Sequence, residues 1–390
     1  MPSVDGEVHV VPTRRIRVLF IAEAVTLAHV ARVHAVAGAL DPSRYEVCIA
    51  ADPRFDALFG AHPFASQRVT TIPAARFAAA IQKGTPIYDV TTLAGYVDDD
   101  LRAIASFEPD VVVGDFRLSL SVSARLAGTP YVTITNAGWS PYAKIGFTVP
   151  DLPMTRWLGV TAAQALFDWA RPFAFAAHAR PVNRLRQRYG MARLASDVRA
   201  VYTDADFILY ADLPEMFSMQ AMPKSHAFLG PVQWSPDTAL PDWWDVLPDD
   251  RPLIYVTLGS SGQSQVLPAL VDALSRLPLS VMVATAGRIA MDAVPDNVHM
   301  ADYLPGATAA QRADLVISNG GSPTSYQAFA AGTPVLGIPT NLDQFLNMRA
   351  VCGSGAGLLM RPASVADASI ARAVDALLHE PAFRENAGVL

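Results

Sequence analysis

Short apolar runs rich in Val, Ile and Leu recur along the first half of the chain, and each ends in small or polar residues. The first run is Ile16–Ala22, and a stretch with helical spacing follows over residues 27–40. Further runs cover residues 46–52, 109–115, 130–136 and 206–212. Continuous apolar strands that alternate with helices are typical of a parallel sheet covered on both faces. The pattern therefore predicts a doubly wound α/β domain with right-handed crossovers.

A second series of strand-like runs begins after residue 250. Its members cover residues 252–259, 279–285, 297–305, 314–321, 333–339 and 356–361. The intervening residues 214–250 are rich in Pro, Asp and Trp, which favours a linker between two domains over a long surface loop within one domain. Two doubly wound domains in tandem predict a cleft between them, with ligands bound beyond the carboxyl ends of the strands.

Four segments are therefore expected along the chain. They are a flexible leader over residues 1–15, a Rossmann-like domain over residues 16–230, a linker over residues 231–250 and a second Rossmann-like domain over residues 251–390. The leader lacks the apolar core of a signal peptide. No run is apolar enough for long enough to span a bilayer, so we expect a cytoplasmic location.

Composition narrows the class of protein. Of the 390 residues, 51% are hydrophobic and 17% are charged, which is ample apolar material for two buried sheets. The net charge of −6 argues against a nucleic-acid partner, which would normally require a basic face. Cys48 and Cys352 form no CxxC pair, which fits a reduced protein without a structural zinc site. The high apolar content leaves room for an apolar ligand or for contact with a membrane surface.

The most informative segment covers residues 314–350. A buried strand ends at Asn319, and Gly320 and Gly321 then allow the backbone to approach a ligand closely. The next residues, SPT, open a helix with Pro in its first turn. Free N–H groups and the positive end of the helix dipole at this point suit an anion, and a diphosphate in particular. A plain strand–turn–helix unit with a serine N-cap is the alternative that the local sequence leaves open.

This segment resembles the signature of the UDP-glycosyltransferase superfamily, which bacterial members write as HGGxGTxxEA…GxPxxxxPxxxDQxxNA. The chain has NGGSPTSYQA, then GTPVLGIP, then DQ and Asn347, with the same internal spacing. The resemblance implies the GT-B fold, in which two doubly wound Rossmann-like domains enclose a central cleft. Residues 16–230 would then bind the acceptor, and residues 251–390 would bind the nucleotide sugar.

The resemblance also implies roles for single residues of the second domain. The residues that would hold the diphosphate are Gly320, Gly321, Ser322 and Thr324. Gln327, where the family usually has Glu, would face the ribose hydroxyls, while Asp343 and Gln344 would hydrogen-bond the transferred sugar. Asn319 replaces the usual His, and Pro323 replaces a usual Gly. An Asn amide still donates a hydrogen bond to phosphate but carries no charge.

Two further loops match the same family. Gly259, Ser260 and Ser261 in TLGSSG look like the Gly–Ser loop that closes over the phosphates. This loop lacks the GK[ST] ending of a P-loop, which argues against an ATPase. Tyr303 in DYLPG lies where relatives frame the nucleotide base, and it is a candidate neighbour of the ring.

The first helix supplies a candidate catalytic base. The segment AHVARVHAVAGAL resembles the family's GHxxPxxxLAxxL, which places His29 at the head of the helix and gives His34 a weaker claim. Asp115, at the end of a later strand, would orient His29 as the acid of a catalytic triad orients its histidine. From the residues alone, His29 as a packed or capping side chain and Asp115 as a helix cap stay open.

Residues 139–189 are aromatic and basic, with helical spacing in their later part. The arginines of this region and its end are Arg171, Arg180, Arg184, Arg186, Arg188 and Arg193. One interpretation is a helical excursion packed on the first domain. The other is an acceptor-binding surface, or a membrane-facing surface for an amphiphilic acceptor.

The resemblance implies an inverting hexosyltransferase that moves a sugar from a nucleoside-diphosphate sugar to a hydroxyl of an apolar small molecule or lipid. No metal and no cofactor beyond the nucleotide sugar are expected. Asp98, Asp99 and Asp100 lie in a helical stretch, so we expect a solvated helix face there rather than a metal site. A sugar-nucleotide epimerase of the same fold and a non-catalytic nucleotide-sugar-binding helper protein are the alternatives.

Overall fold

The computed structural model describes residues 14–259, 264–287 and 293–390, which form two α/β domains. The strands of the first domain are β1 (Ile16–Ala22), β2 (Tyr45–Ala51), β3 (Ala65–Arg68), β4 (Val111–Asp115), β5 (Tyr131–Thr135), β6 (Phe207–Tyr210) and β7 (His226–Phe228). They pair in parallel in the order β3-β2-β1-β4-β5-β6-β7.

The second domain is built in the same way. Its strands are β8 (Leu253–Thr257), β9 (Ser280–Ala284), β10 (Val298–Ala301), β11 (Leu315–Ser318), β12 (Val335–Gly337) and β13 (Gly357–Leu359). They form a parallel sheet in the order β10-β9-β8-β11-β12-β13. The strand order reverses between β1 and β4 in one sheet and between β8 and β11 in the other, and such switch points are where doubly wound sheets bind ligands. The predicted pair of doubly wound domains is confirmed.

Helices cover both faces of each sheet. They are α1 (Leu27–Gly38), α2 (Ala74–Lys83), α3 (Val90–Phe107), α4 (Leu120–Ala127), α5 (Pro153–Arg188), α6 (Val198–Tyr202), α7 (Leu267–Ser275), α8 (Gly306–Arg312), α9 (Ser322–Ala330), α10 (Leu342–Gly353), α11 (Asp367–His379) and α12 (Pro381–Val389). Strand β1 shows why its sequence is apolar throughout. Leu19 and Ile21 pack into one core cluster, while Val18 and Phe20 pack into another. Successive side chains point to opposite faces, and both faces are buried.

The strands β3 and β7 have no counterpart among the strand-like runs predicted from the sequence. Both lie at the edges of the first sheet, so each pairs on one side only. The residues of β3 are ASQR, which are largely exposed, and β7 has three residues. Strands with so little buried apolar surface leave no clear periodic signal in the sequence.

The chain crosses between the domains through residues 229–252, which include the predicted linker 231–250. Trp244 and Leu247 are buried here in a core cluster that also contains residues of β8. Trp243 donates its indole N–H to the carbonyl of Met300 at 3.1 Å. The second half of the crossover is therefore packed on the second domain.

The aromatic and basic region predicted from the sequence forms helix α5. Gly159, at φ 72°, interrupts this helix near its start. Ala163, Phe175 and Ala179 are buried, so one face of the helix packs onto the protein as a helical excursion would. Nowhere in the described ranges is a helix both long enough and apolar enough to cross a membrane.

The acidic triplet 98–100 lies in α3, as expected, but the expectation of a solvated face was wrong for Asp100. Its side chain is fully buried and accepts hydrogen bonds from Arg117 Nε at 2.9 Å, Ser119 Oγ at 2.5 Å and Ser123 Oγ at 3.0 Å. Successive helical residues are rotated by about 100° around the axis, so Asp100 faces the interior while Asp98, two positions earlier, is exposed.

Gly357, the first residue of β13, has no room for a side chain. A Cβ atom there would lie 2.2 Å from the carbonyl oxygen of Val335 and 3.0 Å from Val351 Cγ1. Val335 is its partner on β12, so relief of the clash requires movement of the backbone. We predict that Gly357→Ala lowers the free energy of unfolding of the second domain by about 1–3 kcal/mol, measured by urea unfolding.

The matched control is Gly353→Ala, at the end of α10, where an added Cβ would meet nothing within 4 Å. Alanine restricts the unfolded chain more than glycine does. This change should therefore leave the free energy of unfolding unchanged or raise it by up to about 1 kcal/mol. Equal losses of stability in the two variants would contradict the proposed clash.

Candidate functional site

The switch points of the two sheets open into one cleft between the domains. Asn136, which follows β5, donates its amide N–H to Ser322 Oγ at the head of α9, at 3.2 Å. Trp139, in the turn after β5, donates its indole N–H to Asp343 Oδ1 in the first turn of α10, at 2.7 Å. These hydrogen bonds bring the carboxyl ends of both sheets face to face.

His29 and Asp115 meet on the first-domain side of the cleft. His29 lies in the first turn of α1, and its Nδ1 is 2.7 Å from Asp115 Oδ1 at the end of β4. The Asp115 side chain is 1% exposed and that of His29 is 20% exposed, so the carboxylate is buried and the imidazole reaches the cleft. When Nδ1–H donates to Asp115, Nε2 is left as a proton acceptor. Asp115 does not cap α4, whose N-cap residue is Ser119.

A row of aromatic rings runs from His29 to the second domain. Phe116 stacks on His29 with ring centroids 4.9 Å apart and an interplanar angle of 6°. Tyr202 lies 5.6 Å from Phe116, and Trp139 lies 5.2 Å from Tyr202. Phe116 has φ 57°, an unusual backbone conformation for a bulky residue, and such conformations cluster at functional sites. We call His29, Phe116, Tyr202 and Trp139 the aromatic row.

Helix α9 presents its amino end to the cleft from the second domain. Its N-cap residue is Gly321, which offers no side-chain hydrogen bond to the first turn, and Pro323 lies in that turn. The helix begins at Ser322, as predicted, and Ser322 and Thr324 flank this proline. Uncapped N–H groups and the helix dipole attract an anion. Among the described residues, no group of three or more His, Cys, Asp or Glu side chains is placed to hold a metal ion.

The turn before α9 depends on glycine. Gly320 has φ 76°, and a Cβ there would lie 2.5 Å from Met348 Cγ. The side-chain oxygen Oδ1 of Asn319 accepts a hydrogen bond from the backbone N–H of Gly321 at 3.1 Å. Gly259, which follows β8, lies beside the same Asn319 amide, because its added Cβ would be 3.4 Å from Asn319 Nδ2. The structure therefore brings the two phosphate-loop candidates, Gly259 and the turn 319–324, together.

The two residues assigned to the sugar occupy different environments. Asp343 is exposed, and one carboxylate oxygen already accepts the hydrogen bond from Trp139. Gln344 is 2% exposed and belongs to a capping box with Asn341 at the start of α10. The side-chain oxygen Oε1 of Gln344 accepts a hydrogen bond from the backbone N–H of Thr340 at 2.9 Å. Gln344 therefore shapes the helix terminus, and its contact with the sugar stays a prediction.

Gln327 links α9 to the interdomain crossover. Its Nε2 donates to the carbonyl of Trp234 at 2.7 Å and to Ser235 Oγ at 3.2 Å. Its Oε1 lies against Gly306, where a Cβ would approach it to 2.5 Å. A ribose hydroxyl would therefore have to approach the Gln327 carbonyl oxygen, and that predicted contact remains untested.

Three predicted donor-site residues remain. Tyr303 is 38% exposed in the loop between β10 and α8. Ser260 and Ser261 lie outside the described residues.

Four residues that the sequence analysis did not select connect the two halves of the site. Arg32 Nε lies 3.4 Å from Asp115 Oδ2, and Arg32 Nη2 donates to Asn136 Oδ1 at 3.3 Å. Asp212 accepts from Asn136 Nδ2 at 2.9 Å and from the hydroxyl of Tyr326 in α9 at 2.7 Å. Burial raises the pKa of Asp212, while these donors favour its charged form. Asn136 and Asp212 both follow strands, so a search for polar residues at the ends of predicted strands would have identified them.

A buried charged cluster lies behind Asp115. Arg117 donates to Asp100 Oδ1 at 2.9 Å and to Glu23 Oε2 at 2.8 Å, and all three side chains are 0% exposed. Its guanidinium carbon is 3.8 Å from the centroid of the Tyr96 ring. Burial raises the pKa of Glu23, and the charge of Arg117 opposes this shift. The backbone N–H of Glu23 donates to the Asp115 carbonyl at 3.0 Å, so the cluster holds the strand end that carries Asp115.

Comparison with known proteins shows similarity along nearly the whole chain. The PGL/p-HBAD biosynthesis glycosyltransferase of Mycobacterium tuberculosis (strain ATCC 25177 / H37Ra) is 48% identical over 374 residues, covering 96% of this chain and 87% of that protein. The PGL/p-HBAD biosynthesis rhamnosyltransferase of Mycobacterium bovis (strain BCG / Pasteur 1173P2) is 48% identical over 377 residues, covering 97% and 84%. A family model described as Erythromycin biosynthesis protein CIII-like, C-terminal domain, matches residues 267–390.

A solved structure shares the fold. The Spinosyn Rhamnosyltransferase SpnG complexed with thymidine diphosphate superposes with a TM-score of 0.68 at 18% identity, covering 96% of this chain and 94% of that chain. At this level of identity the likeness concerns the fold. It extends over both domains and therefore over the cleft between them.

The buried charged cluster should be sensitive to loss of its cation. We predict that Arg117→Met lowers the free energy of unfolding of the first domain by about 3–5 kcal/mol, because Glu23 and Asp100 are left buried without their partner. Urea unfolding followed by circular dichroism measures this loss. Adding Glu23→Gln and Asp100→Asn to Arg117→Met should recover part of it, since the uncompensated charges are then removed. An unchanged midpoint in Arg117→Met would contradict this role.

Proposed function

The chain belongs to the UDP-glycosyltransferase superfamily of GT-B glycosyltransferases, and from that membership we propose its reaction. It transfers a hexose from a nucleoside-diphosphate sugar to a hydroxyl group of an apolar, lipid-like acceptor. The configuration at the anomeric carbon is inverted, and no metal ion takes part. The observation that carries the proposal is the His29–Asp115 pair, which shares a cleft with the amino end of α9.

In this mechanism His29 Nε2 removes the proton of the acceptor hydroxyl as its oxygen attacks the anomeric carbon. The bond between that carbon and the diphosphate oxygen breaks in the same step, so a single displacement inverts the centre. Asp115 fixes the orientation of the imidazole and stabilises the imidazolium that forms. The diphosphate leaves toward residues 322–324, where N–H groups and the helix dipole stabilise its growing charge.

The acceptor site is formed by the aromatic row. Phe116 stacks on His29, Tyr202 packs beside Phe116, and both lie within mostly apolar surroundings. Flat rings and an apolar lining favour an aromatic or lipid-like acceptor over a polar sugar. The names of the two mycobacterial relatives, which refer to PGL/p-HBAD biosynthesis, support this class of acceptor.

The donor is bound by the second domain. One relative is named a rhamnosyltransferase, and the solved structure with the same fold holds thymidine diphosphate. These two observations make thymidine-diphosphate sugars the first donors to test. Asp343 Oδ2 would accept a hydrogen bond from a hydroxyl of the sugar, while Oδ1 accepts the indole N–H of Trp139 from across the cleft.

We predict that His29→Ala lowers the rate of sugar transfer by roughly 10²–10⁴, because the general base is lost. Donor affinity should be unchanged, since His29 lies on the first domain. Initial rates with radiolabelled donor measure transfer, and calorimetry measures donor binding.

The control is His34→Ala in the same helix. His34 stacks on Phe59 at a centroid distance of 3.9 Å, and burial lowers its pKa to about 4. This variant should retain its rate to within about twofold. Unchanged turnover in His29→Ala would exclude the assigned base. Donor binding by the wild-type protein without transfer to any acceptor would favour a non-catalytic helper.

A second prediction separates recognition of the sugar from recognition of the diphosphate. Asp343→Ala should weaken binding of the whole donor about ten- to a hundredfold, because a hydrogen bond to a charged group is lost. Binding of free nucleoside diphosphate should stay nearly the same. Thr324→Val should weaken both ligands, since it removes a phosphate donor. Calorimetry with both ligands on each variant makes the comparison.

The control for Asp343→Ala is Trp139→Phe, which removes the indole N–H that reaches Asp343 but keeps an aromatic ring. This variant should bind the donor more tightly than Asp343→Ala does, because the carboxylate remains for the sugar. Equal losses in the two variants would mean that Asp343 acts only by holding the domains together.

A further inference from the structure

The outer face of α5 exposes large apolar side chains in a regular row. Leu166, Trp169 and Phe173 are exposed by 43%, 69% and 67%. Their spacing of three and four residues places them on one face of the helix. The Trp169 and Phe173 rings contact each other at a centroid distance of 5.6 Å. Trp157, close to the break at Gly159, is 86% exposed, and so large an exposed aromatic patch indicates an interaction surface.

The same face continues as a basic surface toward the end of the helix. Arg180 and Arg184 are exposed and follow Phe173 at seven and eleven residues, which returns them to the side of the apolar row. Neither forms an ion pair with another described residue. Helix α5 contains six arginines and one acid, Asp168, which pairs with Arg171. We call Leu166, Trp169, Phe173, Arg180 and Arg184 the α5 stripe.

We propose that the α5 stripe docks the protein on an anionic lipid membrane. Tryptophan and phenylalanine insert at the boundary between headgroups and acyl chains, and arginines beside them attract anionic headgroups. The chain as a whole carries a net charge of −6, so an anionic surface repels most of the molecule and attracts it at this basic helix. The positive side chains of α5 therefore favour contact with the membrane through this helix.

The position of α5 connects this surface to the reaction, and this part of the argument rests on the proposed function. The inner face of the helix carries Phe175, whose ring is 6.3 Å from that of Trp139. Trp139 is one end of the aromatic row, and His29 is the other. A single helix thus separates the docked surface from the proposed acceptor site. A lipid-like acceptor would pass from the membrane around α5 to His29 without crossing bulk water.

Vesicle co-sedimentation tests the docking surface. Full-length protein is mixed with phosphatidylcholine vesicles, with and without phosphatidylglycerol. We expect binding to the vesicles that contain phosphatidylglycerol, with weaker binding at high salt. Trp169→Ala with Phe173→Ala should weaken that binding by about tenfold or more. Arg180→Glu with Arg184→Glu should weaken it by a similar factor.

Two control variants match these changes elsewhere on the surface. Val246→Ser removes an apolar side chain that is 72% exposed away from α5. Arg68→Glu with Arg372→Glu changes the net charge by the same amount as the α5 pair, at exposed positions on other elements. Both controls should bind vesicles as the wild-type protein does.

The outcomes separate this proposal from the proposed function. The α5 variants should transfer sugar to a short, water-soluble acceptor at the wild-type rate, and His29→Ala should bind vesicles normally. Equal vesicle binding by wild-type protein and both α5 variants would overturn the proposal. It would also be overturned if light scattering showed a wild-type dimer that the tryptophan and phenylalanine changes dissociate, since the stripe would then be an interface between two copies.

Discussion

A strand buried on both faces of a parallel sheet can offer polar groups to a ligand only beyond its ends, and doubly wound sheets bind ligands at the carboxyl ends. In this protein that constraint operates twice, because two sheets direct those ends into one cleft. His29 and Asp115 lie at the switch point between β1 and β4. Gly259 and Asn319 lie at the switch point between β8 and β11. The topology of the sheets thus places the proposed base opposite the proposed anion site.

Buried polar contacts hold this arrangement in place. Asp212 joins the first domain to Tyr326 of α9, and the Arg117 cluster supports the strand end that carries Asp115. A buried charge is costly unless every partner is present. Such contacts are therefore satisfied in few arrangements. The hydrogen bond from Tyr326 to Asp212 constrains the relation of the two domains, and the Arg117 cluster constrains the strand end within the first domain.

Most central strands followed from the sequence, because runs of buried apolar residues are local patterns. The pairing of His29 with Asp115 followed from the family resemblance, since the residues alone left both side chains open to structural roles. Asp212 follows a predicted strand, so its position could also have been identified from the sequence. Arg32 and Trp139 could not, since their contacts depend on the rotation of α1 and on how the domains close. The edge strands β3 and β7 bury too little to leave a pattern. The central strands and helices were therefore predictable, and contacts between distant elements were predictable only where the family resemblance supplied them.

Gln327 ties the proposed nucleotide site to the segment that connects the two domains. Its amide nitrogen bonds to Trp234 and Ser235 in the crossover, while its carbonyl oxygen is the group proposed to meet the ribose. Thermodynamic linkage makes such a connection reciprocal. A donor that binds best to one conformation of the crossover has a higher affinity when that conformation is already the more populated one. An acceptor that closes the cleft would then raise donor affinity without touching the donor.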